Sequence, residues 1–413
     1  MRRAIPLLIV AATTGLAAAD ETDLPWMVNQ PIVAVQKSRY TPLPLNGHPA
    51  WVNVAYVGPN LELLETVSVP KGDELNDTRW RRSDDNGKSW SEFKPMLPSS
   101  STVEYSGVKY TEYDGPLFYD REAGVLLETW LRMNNNGFHT YYRLSWDAGE
   151  TWNTPKMLRY DDGEEFDPNN PVSLGYIQTN QGYFGNNIIK LPSGRIVTVL
   201  GNANSNRGPR DCSLCFIGTW DAVAKDYQWT PGQRVRISKD KSPVLTEPEV
   251  AELKDGRVLV VWRGERTEST PCRKWFSVST DGGMTLSPVA ELTYDDGSSF
   301  YSPASFHRMV RSSLNGKLYW LGNITAKPPG GRGSAYPRYP LVIAEVDEAS
   351  ATPSLKKSTV TKIDDRQPDE PEGIEFSNFS LLQNRETHTL DLYMVVTGHS
   401  PTKNYKYVVT LIR

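Results

Sequence analysis

Apolar and polar positions alternate along the chain in short bursts rather than at a helical spacing. Residues 195–200 (RIVTVL), 257–262 (RVLVVW) and 318–321 (LYWL) are examples, and each follows a glycine-centred turn at Gly194, Gly256 or Gly316. Period-two alternation bounded by Asn, Asp, Ser and Gly predicts β-strands joined by hairpins. No segment sustains a helical period, and no linker or low-complexity tract divides the chain. One all-β domain is expected, running from residue 20 to residue 413.

A short motif recurs among these strands. Residues 83–90 read SDDNGKSW, 145–152 SWDAGETW and 279–286 STDGGMTL, sharing the pattern S-x-D-x-G-x-[ST]-[WL]. The pattern describes a turn in which Asp accepts local hydrogen bonds, Gly takes the left-handed position and the last residue returns to the core. Asp85 and Asp147 lie 62 residues apart, and Asp281 follows Asp147 by 134. Trp220-Asp221 with Trp229 supplies a degenerate copy in that gap, and Asp347 lies 66 residues beyond Asp281. A period of about 65 residues exceeds that of helical solenoids and suits a four-stranded propeller blade. The chain beyond residue 19 then holds six blades, and the repeats should sit on outer hairpins.

Composition narrows the setting. Arg2 and Arg3, an apolar run over residues 5–12 and Ala17-Ala18-Ala19 have the form of a secretory signal, so residues 1–19 are expected to be removed. The run is too short to span a membrane, and a secreted or periplasmic protein is expected. Twelve Trp and twenty Tyr suit strands and a carbohydrate-facing surface, while a net charge of −4 argues against general nucleic-acid affinity. Cys212 and Cys215 have a C-x-x-C spacing without the second pair a zinc site needs, so a bridge from either to Cys272 stays open. Neither a metal nor a cofactor is expected, and a monomer is.

The repeated turns resemble the Asp boxes of the sialidase (neuraminidase) superfamily, whose members are six-bladed β-propellers, and the resemblance runs along nearly the whole chain beyond residue 19. It implies a glycan-binding pocket on the propeller axis, with three Arg clamping a carboxylate, an Asp acid/base, and a Tyr nucleophile assisted by a Glu. Residues 246–257 (TEPEVAELKDGR) are similar to the family's N-E-x-x-V-V-E-L-x-D-G stretch. This implies that Glu247 is the assisting Glu and Arg263, at the end of the next strand, a clamp Arg. Residues 338–343 look like the strand of the third clamp Arg, here Arg338. Glu65 falls in a segment similar to the family's A-E-x-R strand, and Asp73 falls near the acid/base position, with Asp77 as the fallback.

Two departures reshape this site. The first clamp Arg belongs to an F-R-I-P-A motif, but residues 46–50 read NGHPA, with Gly47 at the Arg position and His48 beside it. The nucleophile motif reads EFSNF over residues 375–379, with Phe376 where Tyr is expected. His48 could act as a general acid or base near neutral pH, and His307, just before a strand, could face the axis. The resemblance implies an exo-acting glycoside hydrolase for acidic or strongly polar glycans, with specificity altered from sialic acid. A propeller lyase using a His/Tyr site and a non-catalytic glycan-binding propeller are the alternatives.

Overall fold

A computed structural model describes residues 24–40, 51–71, 74–95, 102–204, 208–398 and 402–412. Its strands form six small antiparallel sheets arranged as the blades of a propeller. Blade I comprises Trp51–Tyr56, Leu63–Lys71, Glu74–Ser83 and Lys94–Pro95. Blade II runs Val108–Asp120, Val125–Asn134, Gly137–Ser145 and Lys156–Met157, with Thr102–Tyr105 added on its inner edge. Blade III is Tyr183–Lys190, Ile196–Gly201, Cys212–Asp221 and Asp226–Pro231. Blade IV is Thr246–Glu252, Val258–Arg263, Lys274–Ser279 and Ala290–Glu291. Blade V begins with His307–Arg311, Leu318–Asn323 and Leu341–Asp347, the last pairing outward with both Ser354–Leu355 and Thr361–Asp364.

Blade VI closes the ring. Its strands Phe379–Gln383, Leu390–Val396 and Lys403–Leu411 are completed by Val33–Arg39 from the other end of the chain, in register from Val33–Leu411 to Arg39–Tyr405. This pairing of the two ends in one sheet locks the ring.

The hydrophobic core is a ring of interfaces between neighbouring blades. Leu126 meets Leu64 and Val57 between blades I and II, Leu127 and Val125 meet Ile188 and Leu214 between II and III, and Leu382 and Tyr393 meet Val52 and Val54 between VI and I. The middle strands therefore have no solvent face, and every residue of Ile196–Gly201 and of Leu318–Asn323 is buried. The expected alternation of apolar and polar positions fails there because both faces pack against another blade.

The repeated turns connect the third and fourth strands of blades I, II and IV, opposite the end where each inner strand begins. Asp85 Oδ1 accepts from Ser83 Oγ (2.8 Å) and Ser89 N (2.8 Å), while Oδ2 accepts from Ser89 Oγ (2.5 Å). Asp147 and Asp281 repeat the pattern, and the glycines Gly87, Gly149 and Gly283 all have positive φ. Trp90, Trp152 and Leu286 then return to the inter-blade cores. Blade III's Asp221 makes a tighter turn, accepting from Val223 N and Ala224 N. Cys212, Cys215 and Cys272 are all buried free thiols, so the bridge to Cys272 does not form. No helix among the described residues is long and apolar enough to cross a membrane.

Candidate functional site

Where the inner strands begin, the axis opens into a cavity of about 870 Å³. Glu247, Arg263, Arg308 and Arg338 line it, from blades IV and V. Glu247 owes its position to a bulge: the register of Thr246–Glu252 against Val258–Arg263 shifts between Thr246 and Glu249, and Glu247 takes φ +47°. A left-handed backbone is unfavourable for Glu, and such outliers concentrate where a side chain must be aimed. Arg263 Nη1 donates to Glu247 Oε1 at 2.6 Å, with Glu265 3.8 Å from Nη2. Glu247 Oε2 and Arg263 Nε have no hydrogen-bond partner among the described residues. A polar site left half-paired inside a fold is suited to receive the polar groups of a ligand.

Arg338 is more fully engaged. It donates to Glu375 Oε2 (3.1 Å), Ser377 Oγ (3.2 Å), Ala335 O (3.1 Å) and Ala304 O (3.3 Å). The Tyr336 hydroxyl also donates to Glu375. Arg338 thus ties the Gly/Pro-rich loop before blade V's third strand to the acidic loop before blade VI.

Arg308 is the cavity residue that sequence comparison passed over in favour of its neighbour. His307 points away from the cavity. It is completely buried, its Nε2 lies 3.2 Å from Val261 O, and its ring stacks on Trp320. Burial drives its pKa well below the ordinary value, so the imidazole stays neutral. Arg308, one position along the same strand, faces the axis with Nε 3.4 Å from Glu249 Oε1. Glu249 is itself buried, and loss of hydration pushes its carboxyl up to about 7 despite Arg308 and a bond from Met309 N. Strand alternation was the signal available: adjacent residues cannot both face the axis.

Glu65 also lies outside the cavity. It is fully buried, accepting from Arg81 Nε and the Tyr40 hydroxyl, so it has no free oxygen to offer a sugar. The substrate-binding roles expected of Glu65 and His307 therefore do not match their positions. Phe376 is 1% exposed and packs in the core between blades V and VI, so that position does not face the axis at all. His48, Gly47 and Asp73 lie outside the described residues.

The cavity has further features that no motif announced. Trp51 (40% exposed), Tyr113, Phe138, Tyr183 and Phe306 contribute flat apolar surfaces of the kind that pack on sugar rings. Asn186 Nδ2 donates to Glu247 O (3.1 Å) and steadies the bulge. Asp114, from the inner strand of blade II, is a further carboxyl in the cavity besides Glu247 and Glu265, 3.8 Å from Arg143. At the far end Arg385 lies across the Tyr56 ring at 3.9 Å and donates to Gly58 O at 2.9 Å. Among the described residues, the cavity is thus open where the inner strands begin and lined by Arg385 where they end.

No protein-family model matches the chain, and no curated protein matches it in sequence. In fold it is similar to a protein of unknown function from Dyadobacter fermentans, with 15% identity and a TM-score of 0.60 over 91% of this chain and 99% of that one. It is also similar to the NanB sialidase from Streptococcus pneumoniae, with 12% identity and a TM-score of 0.55 over 93% of this chain and 70% of that one. A GH93 α-L-arabinofuranosidase of Fusarium graminearum shares 14% identity with a TM-score of 0.51, over 92% of this chain and 98% of that one. The six-bladed propeller of the sialidases is accordingly the fold of this chain.

Proposed function

We propose that the protein is a glycoside hydrolase that removes acidic or strongly polar sugars from the ends of glycans. The observation that carries this reading is the Glu247–Arg263 pair, held at 2.6 Å by a strained bulge inside the axial cavity. Arg308 and Arg338 line the same space, so a substrate carboxylate or a cluster of hydroxyls meets guanidinium donors there. An exo mode fits the far end, where Arg385 lies across the Tyr56 ring and donates to Gly58 O. The fold neighbours named as a sialidase and an arabinofuranosidase are consistent with this chemistry, though at their identities they carry fold alone.

Phe376 lies in the core and cannot act as a nucleophile, and in this reading carboxylates carry the chemistry. Glu247 takes a proton from a water that attacks the anomeric carbon, and Arg263 orients the carboxylate. Arg308 and Arg338 position the sugar. The signal-like residues 1–19 extend the proposal to a protein acting outside the cytoplasm.

The test is product analysis with the purified protein on a panel of sialylated, uronic-acid-containing and arabinose-containing glycans. Release of a monosaccharide is expected, with simple sialosides poor because Gly47 replaces the first clamp Arg of the resembled family. An unsaturated product absorbing in the ultraviolet would mean a lyase. Binding without turnover on every glycan would mean a lectin-like propeller.

A further inference from the structure

Register shifts break the inner strands of blades II, III and IV, and each one lies beside the axial cavity. They fall between Asp114 and Leu117, between Phe184 and Ile188, and between Thr246 and Glu249. Bulges of this kind re-aim side chains and recur next to active sites. In blade IV the bulge presents Glu247. In blade III it presents Asn186 and Asn187, which hold the Glu247 strand through Glu247 O, Val250 O and Val250 N. In blade II it presents Asp114, and the bend admits no side chain at Gly115, where a Cβ would come within 2.3 Å of Thr129 O.

We propose that Asp114 is the proton donor of the axial site, facing Glu247 across the cavity from the far side of blade III. This rests on the glycosidase reading above, and it gives Asp114 the role that family resemblance would assign to Asp73. The two carboxyls come from inner strands separated by one blade, so a glycosidic bond between them has a carboxyl on either side, as hydrolysis of that bond requires. Asp114 is accessible (35%), but the solvent it meets is that of the cavity. Dehydration inside the fold raises its carboxyl above the ordinary range, Arg143 opposes that rise, and Glu112 adds to it. Behind it, buried Glu128 shares the same guanidinium, accepting from Arg143 Nε, and its own carboxyl is pushed up to about 7 by burial. The neighbouring carboxyls and partial loss of hydration thus shift Asp114 toward its protonated form relative to an isolated Asp.

In the reaction the Asp114 proton goes to the glycosidic oxygen as that oxygen departs with the bonding electron pair. Water supplies the hydroxyl to the anomeric carbon, and its proton goes to Glu247. Proton exchange with solvent then restores both carboxyls.

The experiment compares 2,4-dinitrophenyl and phenyl glycosides of sialic acid, a hexuronic acid and arabinofuranose on the full-length enzyme and its Asp114→Asn form. A leaving group that needs no proton bypasses the donor. On the substrate the enzyme accepts, Asp114→Asn should lose ~100- to 10,000-fold in kcat/KM with the phenyl glycoside and far less with the dinitrophenyl one. Asp114→Ala should show the same pattern and serves if the Asn form fails to fold. Equal losses on both leaving groups, or the pattern appearing in Asp73→Asn instead, would overturn the assignment. If the unsubstituted enzyme releases no phenol from any member, the glycosidase reading itself falls and this proposal with it.

Discussion

The outer turns and the axial cavity are built on opposite rules. In the turns, three stretches of sequence repeat one geometry almost atom for atom. The Asp Oδ1 to backbone N distances are 2.8, 2.8 and 2.9 Å for Asp85, Asp147 and Asp281. Each of those carboxylates accepts several bonds, which hold Asp85 and Asp147 down at about 2. Around the cavity the side chains differ from blade to blade, although bulges recur in blades II, III and IV. Each blade offers different residues there, Glu247 and Asn202 on left-handed backbone, and Glu247 Oε2, Arg263 Nε and Arg308 Nε have no hydrogen-bond partner among the described residues. Repetition with complete pairing marks scaffold, and departure with incomplete pairing marks the place where a ligand would finish the network.

The sharpest way to break this contrast is at Glu247. Glu247→Gln keeps the shape and removes the base, so turnover should fall by ~100- to 10,000-fold while the melting temperature stays near that of the parent. Unchanged turnover on the preferred glycan would end the catalytic assignment. Next in size is Arg263→Lys, which keeps the charge but loses the planar fork. Losing one charge-assisted contact should cost about 1.5–3 kcal/mol, or about tenfold to a hundredfold in kcat/KM. Full activity of both Arg263→Lys and Arg263→Ala on every accepted glycan would make Arg263 a structural residue.

On the scaffold side, Asp147→Ala removes the acceptor of bonds from Ser145 Oγ, Thr151 N and Thr151 Oγ1. Denaturant unfolding should show a loss of about 1–3 kcal/mol with kcat/KM preserved. A folded Asp147→Ala protein without activity would erase the distinction between the two regions.

The smallest effect concerns Glu249, behind Arg308. Its folded carboxyl is raised by burial to about 7 from 4.5, so the native state holds a proton that the unfolded chain gives up between those values. That contribution to stability is therefore lost as pH rises from about 4.5 to about 7 and is flat above. Glu249→Gln should remove this slope when its stability curve is subtracted from that of the parent. Buried His139, lowered to about 4, works in the opposite direction as pH falls, which is why the difference between the two proteins is the useful quantity. Identical slopes would show that Glu249 is ionised in the fold.

Much of the fold could be read along the chain, because each repeated turn needs Ser, Asp, Gly and a returning apolar residue at set positions for local reasons. The turn chemistry is self-contained, so three copies reveal a period and the period counts the blades. The juxtaposition of Glu247 and Arg263 was legible too, since both ends of one hairpin are fixed by the turn between Leu253 and Arg257. Where the reading stopped, the missing information was orientation. His307 and Arg308 are adjacent, and which of them meets the axis depends on how blade V docks against blade IV. Phe376 faces the core rather than the cavity for the same kind of reason, and Glu65 is consumed by Arg81 and Tyr40 from other segments.

Asp114 shows the limit most clearly. Nothing in residues 113–116 (YDGP) separates it from an ordinary Asp-Gly turn. Local sequence was enough to specify turns, strands and their number, because those depend on hydrogen bonds and packing within one blade. The membership of the cavity was decided by closing six blades into a ring and by bulges that shift a strand's register. A one-residue shift sends a side chain from one face to the other, and only the contacts of the assembled propeller determine where that shift falls.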